Sequence, residues 1–399
     1  MNKHFHRLAL LFLLAIVMAA CASLVETDET RPSSSEEAVS VVTQTSQVPT
    51  AEAVDAPTSV PETSSSLLPH SFYYLSNDNL GFTQVFRMER DGKTVKQITF
   101  EPVAVGFYDV SLVDGSVVYV ANNQLLLINA DGSDRRVLVD SGPVDPNNRK
   151  TSLHHPVFSP DGQTIAYAHN GLNLYNVATG VSRLVPQDAF SRPVKFSPDG
   201  VKLLMTISVP NTDATHDEIY YPATNSVVRF NSADGAFFCC GKEEWTPDSL
   251  SFYAANPTVG MLSPGLWRVD AASGTVTTLL PMDAGGGSFN LADEPYFAPD
   301  GQLYYFFMES KTVIDGTGPR APLQLVRSAP DGVTGRTVLR PDTFELMSEA
   351  LWAPDASFVV VASVPTPDNY QDGRAEVFYL DGRPNVMLTA FAQQLKWGP

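Results

Sequence analysis

The chain has 399 residues and a net charge of −18 at neutral pH, with 26 basic residues against 44 acidic ones. So acidic a surface repels the phosphates of nucleic acids, which argues against nucleic acid as a partner. Cysteine occurs three times, and no spacing of cysteine or histidine is that of a zinc site.

Residues 1–20 have the layout of a secretory signal peptide. Lys3 and Arg7 precede an apolar run, residues 8–18, which is shorter than the about 20 residues that a membrane-spanning helix needs. Small residues then lead directly into Cys21, and this resembles the lipobox of bacterial lipoproteins. The resemblance implies that Cys21 is acylated and that the protein is exported. The lipid would anchor it to the outer side of the cytoplasmic membrane or to the outer membrane. The alternative is an ordinary signal peptide with an incidental cysteine.

Residues 21–70 are predicted to form a disordered acidic tether. The segment is rich in Ser, Thr, Glu, Ala, Val and Pro, contains no aromatic residue, and has eight acidic residues against Arg31 alone. No helical or strand periodicity persists in it, so it cannot bury enough apolar surface to offset the entropy of ordering. Because like charges repel, we expect the tether to be extended.

A five-residue motif recurs through residues 71–399. It consists of an aromatic residue, a small residue, Pro, Asp and a second small residue, and it begins at Phe158, Phe196, Trp245, Phe297 and Trp352. Pro presets the backbone for a tight turn, Asp caps the turn with its side chain, and Gly takes the positive-φ position. A β-rich run follows each copy. The pattern predicts one four-stranded antiparallel blade per copy, because so small a sheet must stack on its neighbours to bury its faces.

Two degenerate copies complete the set. One begins at Ser111, and the other is split between residues 71–88 and the final residues 395–399. Joining the two ends makes a whole blade and seals the sheet edges. We therefore predict an all-β fold, a single seven-bladed β-propeller over residues 71–399. The C-terminal strand would close the ring by pairing with the N-terminal blade. Six or eight blades would require a miscounted copy.

These repeats resemble the TolB-like, WD-repeat-like propeller family in the motif and in the polar turns that follow it. The resemblance covers essentially all of residues 71–399 and implies the fold, while the motif residues are structural and carry little information on function. Relatives include protein-interaction scaffolds, propellers that gate prolyl peptidases, and metal-dependent lyases that use several histidines and a glutamine.

Propellers usually bind ligands at the mouth of the central channel, and the residues just before each opening strand are expected to face it. Read in register, they form a ring rich in ionisable and amide groups: Tyr108, His155, Arg192, Lys242, Asp293, Glu294, Glu349 and Gln394. The carboxylates on adjacent blades suit a divalent cation such as calcium, and no other cofactor is predicted. The alternative is that they line a water-filled mouth and pair with Lys242 and Arg192.

Two pairs of adjacent residues also stand out. His154 precedes His155, and adjacent strand residues point to opposite faces, so we expect that the two rings cannot easily bind one metal ion. Since no other blade supplies histidine to the ring, the resemblance to the lyases is weak at the site. Cys239 and Cys240 lie just ahead of an opening strand and could form a strained vicinal disulfide in an oxidising compartment. The alternative is two reduced, buried thiols.

These observations favour a cell-envelope lipoprotein that acts as a non-enzymatic binding or protein-interaction scaffold. We expect a monomeric propeller with an envelope protein or peptide as partner, contacted by long insertions at residues 210–217, 256–264, 309–322 and 365–374. One alternative is a polysaccharide lyase or hydrolase with its active site at the channel mouth. Another is an envelope sensor or solute-binding module.

Overall fold

The computed structural model describes residues 66–185, 190–208, 215–232, 242–257, 264–311, 321–366 and 373–399. All of these lie in one compact unit, Glu62–Pro399. Cys21, the predicted tether up to residue 65, Cys239 and Cys240 lie outside the described residues, as does much of each long insertion. Within the described part of the chain, no helix is long and apolar enough to cross a membrane.

The described residues form strands and one short 3-10 helix, Arg149–Thr151. The strands of the first half are β1 (Phe72–Asn77), β2 (Thr83–Met88), β3 (Val95–Gln97), β4 (Phe107–Val110), β5 (Val117–Ala121), β6 (Gln124–Ile128), β7 (Arg136–Asp140), β8 (His154–Phe158), β9 (Thr164–Ala168), β10 (Leu172–Asn176), β11 (Val181–Leu184), β12 (Phe190–Phe196), β13 (Leu203–Ser208), β14 (Thr215–Tyr221) and β15 (Ser226–Arg229). Those of the second half are β16 (Asn231–Ser232), β17 (Lys242–Trp245), β18 (Ser251–Asn256), β19 (Gly265–Asp270), β20 (Thr275–Leu280), β21 (Asp283–Gly285), β22 (Ser288–Phe297), β23 (Leu303–Ser310), β24 (Gln324–Ser328), β25 (Thr337–Thr343), β26 (Met347–Trp352), β27 (Phe358–Ser363), β28 (Gly373–Tyr379) and β29 (Val386–Trp397).

These strands form six sheets. Three are simple four-stranded antiparallel sheets, β4–β7, β8–β11 and β12–β15. Two more have a four-stranded antiparallel core, β17–β20 and β22–β25, with a short fifth strand at one edge. The last sheet has seven strands in the order β26-β27-β28-β29-β1-β2-β3. The predicted all-β propeller of four-stranded antiparallel units is therefore present.

The long strand β29 joins the two ends of the chain. Its first part pairs with β28, where Val386 lies opposite Val377. Its second part pairs with β1, where Trp397 lies opposite Phe72. The C-terminal strand thus pairs with the N-terminal strands, as the split repeat predicts.

The motif turns have the chemistry that their residues predict. In the copy that begins at Phe158, the Asp161 carboxylate accepts hydrogen bonds from the Ser159 hydroxyl at 2.5 Å and from the Gln163 amide at 3.0 Å. Gly162 follows at φ 68°, in the left-handed region that favours glycine. Side chains within the motif therefore stabilise this turn.

The core lies between the sheets. Leu174 and Phe196, from two successive sheets, pack in one buried cluster with Met205. Leu204, on the other face of the same strand as Met205, packs instead with Trp267 of the next sheet. Because neighbours cover both faces, central strands such as β5 are buried at every residue. This stacking turns the first strand of each sheet inward and brings the predicted ring residues together.

Candidate functional site

The inner strands are irregular at the register position of the predicted ring. Pairing shifts occur in β8 between His154 and Val157, in β22 between Asp293 and Tyr296, and in β29 close to Gln394. In these strands His155, Glu294 and Gln394 have φ values of 50°, 47° and 50°. A bulge of this kind breaks the alternation of a strand and re-aims its side chains, at a cost in backbone strain. Three ring residues are therefore placed by bulges.

The bulge in β8 changes how the two adjacent histidines are arranged. The expectation that they point to opposite faces is wrong, because His155 has a left-handed backbone and its ring turns back toward His154. Their Nδ1 atoms are 2.7 Å apart, and their ring centroids are 4.9 Å apart. Burial is the main cause that lowers the pKa of His154 to about 4 and that of His155 to about 3. Both rings are therefore neutral at pH 7.

The Nδ1 contact also determines what the histidine pair can offer to a ligand. One neutral ring must carry its proton on Nδ1 and donate it to the Nδ1 of the other ring. The donating ring then has a bare Nε2, which accepts hydrogen bonds, and the accepting ring has a protonated Nε2, which donates them. The pair thus presents one acceptor and one donor without any charge.

We call the strands β17, β22, β26 and β29 the linked arc. The ring side chains on β17, β22 and β26 bind neighbouring strands. The Lys242 Nζ forms an ion pair with the Glu294 Oε1 at 2.5 Å, and the same oxygen accepts the Ala350 amide at 3.0 Å. The Glu349 Oε1 accepts the Leu395 amide at 2.8 Å. Each carboxylate therefore ties its own strand to the next, and the predicted pairing of the channel carboxylates with Lys242 is present for Glu294.

The motif tryptophans add a second set of links at the same arc. The Trp352 indole donates to the Glu294 carbonyl at 3.0 Å, and the Trp397 indole donates to the Trp352 carbonyl at 2.7 Å. Trp245 donates in the same way to the Lys195 carbonyl at 3.4 Å. Phenylalanine, which other copies carry at this position, cannot make such a bond. Trp rather than Phe at this motif position is therefore a sequence signal for such a link, and it was not used in the prediction of the site.

Burial and charge together set the electrostatics of the linked arc. Burial raises the pKa of Asp293 to about 7, with Glu294 adding to the effect. Burial also raises the pKa of Glu349. Burial acts to lower the pKa of Lys242, but the carboxylates of Glu294, Asp293 and Glu349 outweigh it and hold that pKa above its usual value. Lys242 is therefore a permanent cation within this cluster.

Tyr108 and Gln394 meet where the ends of the chain join. The Tyr108 hydroxyl donates to the Gln394 carbonyl at 2.5 Å, and the Gln394 side-chain amide donates to the Gly106 carbonyl at 2.9 Å. Beside them, Asp109 forms an ion pair with Lys396 at 3.0 Å and accepts the Phe158 amide at 2.8 Å. Asp109 and Lys396 were not predicted as site residues, although both lie one or two positions from the predicted ring.

The strands β4, β8 and β12, which we call the open arc, border a cleft of about 740 Å³ through Phe107, His155 and Arg192. Four aromatic rings cross these three strands in one row. Phe107 lies against His155 with ring centroids 4.2 Å apart, and His154 lies against Phe190 at 5.3 Å. Arg192 lines the same cleft and is half-buried. Phe190 was not predicted, yet it lies two residues before Arg192 and so on the same face of its strand.

A buried acid lies two strands away from Arg192 in the same sheet. Arg192 pairs in register with Thr206, and Thr206 with Asp217 on the next strand. Asp217 is only 1% exposed, and within the described residues neither of its carboxylate oxygens has a hydrogen-bond partner. Burial, together with the facing carboxylate of Glu243, raises the pKa of Asp217 well above its usual value. Arg192 acts in the opposite direction and lowers this pKa, so Asp217, Glu243 and Arg192 interact electrostatically.

The structure brings six of the eight predicted ring residues around one cavity of about 500 Å³, which is lined by Tyr108, His155, Arg192, Lys242, Glu349 and Gln394, and it also groups the ring residues by their contacts. It brings Lys242, Asp293, Glu294 and Glu349 into one charged cluster, places Tyr108 against Gln394, and sets His155 and Arg192 on the cleft. Among the described residues, no group of three or more His, Cys, Asp and Glu side chains could hold a metal ion. The cleft presents polar and aromatic side chains, and the carboxylate–lysine cluster holds strands together.

Comparison with known proteins gives the fold alone. No family model matches the chain, and no curated protein sequence matches it. Among solved structures, it is similar to a puromycin hydrolase at TM-score 0.51 and 14% identity, covering 82% of this chain and 53% of that one. It is also similar to an oligogalacturonate lyase in complex with manganese at TM-score 0.50 and 12% identity, covering 80% and 85%. TolB from Acinetobacter baumannii matches at TM-score 0.43 and 14% identity, covering 82% and 83%.

Proposed function

We propose that this protein is a cell-envelope lipoprotein whose propeller binds a partner without catalysing a reaction. The lipobox-like sequence at Cys21 supports the anchor, and the acidic segment that follows supports a tether between the membrane and the propeller. In this proposal the cleft of the open arc receives the partner, an envelope protein or peptide.

We also propose that the propeller has seven blades. The seven-stranded sheet supports this count, because β29 serves two blades, one with β26, β27 and β28 and one with β1, β2 and β3. The other five sheets supply one blade each. A C-terminal strand shared in this way would lock the ring shut, which suits a domain that must stay folded outside the cell.

The functional proposal rests on the structural role of two ring carboxylates. Glu294 and Glu349 accept backbone amides of the next strand, and Glu294 also holds Lys242. Carboxylates bound in this way serve the fold, whereas a lyase or hydrolase needs a free acid and base that face the substrate. The cleft instead offers aromatic faces and a cation, which are features of recognition sites.

A lyase or hydrolase is the alternative, and it would use the cleft as its active site. The bare Nε2 of the histidine pair would then act as the base. An envelope sensor or solute-binding module would use the same cleft without chemistry. Both alternatives differ from a scaffold in needing no protein partner at the cleft.

Site-specific crosslinking in intact cells tests the proposed function. A photo-crosslinking amino acid replaces Ser152, which lines the cleft, or the 79% exposed Leu80, which does not. We expect a discrete protein adduct from position 152 and none from position 80. Metabolic labelling with palmitate should mark the parent and not the Cys21→Ala variant. Failure of the position-152 adduct would contradict the scaffold, and failure of the label would contradict the anchor.

A further inference from the structure

The cleft of the open arc is cationic in a strongly acidic protein. Arg149, Lys150 and Arg192 line it, and no Asp or Glu is among the described residues that do. Ion pairs elsewhere in the described chain engage other cations, and none of them includes these three side chains. With the whole chain at −18, this local charge stands out as a site for an anion.

Arg192 is the cation best placed to bind an anion specifically. It is half-buried on β12, whereas Arg149 and Lys150 are exposed on the 3-10 helix at the rim. Burial and the Glu243 carboxylate raise the pKa of Asp217, on the same sheet as Arg192, well above its usual value, which favours the uncharged form of this neighbouring acid. A guanidinium presents a planar fork of donors that matches the two oxygens of a carboxylate. Its partial burial strengthens such a bond relative to the rim cations.

The wall beside Arg192 fits a flat apolar group. Phe107, His155, His154 and Phe190 form a continuous row with neighbouring centroids 4.2 to 5.3 Å apart. Aromatic faces and edges favour contact with another ring. Because both histidines are neutral at pH 7, they add polar contacts to the wall without adding charge. The cleft volume of about 740 Å³ lies in the range of small-ligand sites.

We propose that this cleft binds a small carboxylate ligand with a flat apolar ring. The carboxylate lies on the guanidinium of Arg192, the ring lies against the row from Phe107 to Phe190, and Lys150 adds attraction at the rim. The proposal goes beyond the proposed function, because it assigns to the cleft a small ligand of stated chemistry. Such a ligand differs from a protein partner in needing no surface beyond the cleft.

Calorimetric titration of the full-length protein in detergent tests the ligand chemistry. The probe is 2-naphthoate, and its matched controls are 2-naphthamide, which has no charge, and decahydronaphthalene-2-carboxylate, which has no flat ring. We expect 2-naphthoate to bind and both controls to bind at least about 10-fold more weakly, because each lacks one of the two contacts. Equal binding of the amide would overturn the assignment of a carboxylate, and equal binding of the saturated acid would overturn the assignment of the wall.

Variants then test the residue. Arg192→Gln should weaken 2-naphthoate binding by about 10- to 100-fold, the loss typical of a charge-assisted hydrogen bond, and Arg192→Lys should weaken it less. Arg136→Gln is the matched control, since Arg136 is an exposed arginine on β7 whose partner is Asp134. Unchanged binding by Arg192→Gln, or an equal loss in Arg136→Gln, would overturn the proposal. Thermal unfolding of each variant confirms that it is folded.

The two proposals fail separately. If 2-naphthoate does not bind while the adduct at position 152 forms, the small carboxylate is wrong and the scaffold stands. If 2-naphthoate binds through Arg192 while no protein adduct forms, the small-ligand proposal stands and the scaffold is replaced by a solute-binding function. An acidic peptide that binds through Arg192 where 2-naphthoate does not would also overturn the small ligand.

Discussion

The linked arc and the open arc use neighbouring register positions of the inner strand in different ways. On the linked arc, Glu294 and Glu349 accept amides of the next strand, so their charge and oxygen atoms serve the fold. On the open arc, Arg192 and the histidine pair face a cleft. The comparison teaches that position in the ring alone does not mark a binding residue. The partners of each side chain decide between structure and recognition.

Removal of an indole on the linked arc should have the largest effect on stability. Trp352→Phe deletes the donor to the Glu294 carbonyl and leaves a small cavity, so we expect a loss of about 3 kcal/mol in the free energy of unfolding. Phe196→Leu is the control on the open arc. It loses apolar contact alone and should cost about 1 kcal/mol. Urea denaturation measures both, and equal losses would show that the indole links are not what distinguishes the linked arc.

Removal of a carboxylate from the linked arc should have the next largest effect. In Glu294→Ala, Lys242 loses its counterion and the Ala350 amide loses its acceptor, so we expect a loss of about 2 kcal/mol. Glu294→Gln keeps an oxygen for the amide and should retain about half of that stability. Denaturant midpoints give the comparison. A Glu294→Ala variant as stable as the parent would contradict the structural role of this carboxylate and would make it a candidate ligand-binding group again.

Acid should weaken the open arc through its histidines. The folded-state pKa values of His154 and His155, about 4 and about 3, lie below the unfolded value near 6.5. The unfolded chain therefore binds protons first, so stability is full above pH 6.5 and is lost as the pH falls toward 3. Between pH 7 and pH 6 the two groups should cost about 1.4 kcal/mol.

A double variant isolates this histidine effect. His154→Asn with His155→Asn removes both imidazoles, and Asn tolerates the left-handed backbone at position 155. The loss between pH 7 and pH 6 should be smaller in the variant than in the parent by that same amount. Equal pH dependence in the two proteins would mean that the pair is not held neutral.

Much of the fold follows from the sequence, while the site follows only in part. The motif turns and the split repeat predict the sheets and the pairing of β29 with β1, because Pro, Asp and Gly act locally and the repeat is regular. The convergence of His154 and His155 does not follow from the alternation of a strand, since it depends on a bulge in β8, for which Pro156 directly after His155 is the sequence signal. The roles of Glu294 and Glu349 depend on amides about 50 residues away. Such distant partners are set by the stacking of blades and leave no local pattern.

Substitution of Arg192 should have the smallest effect on stability and is the sharpest test of the comparison. Its side chain is half-buried and has no ion pair within the described residues, so Arg192→Gln should change the free energy of unfolding by less than about 0.5 kcal/mol. Glu294→Gln is the matched change on the linked arc, one register position further along its inner strand, and should cost more. Urea denaturation of both at pH 7 measures the difference. If Arg192→Gln lowered the free energy of unfolding more than Glu294→Gln did, Arg192 would have a structural role like that of Glu294. The distinction between the two arcs would then be wrong.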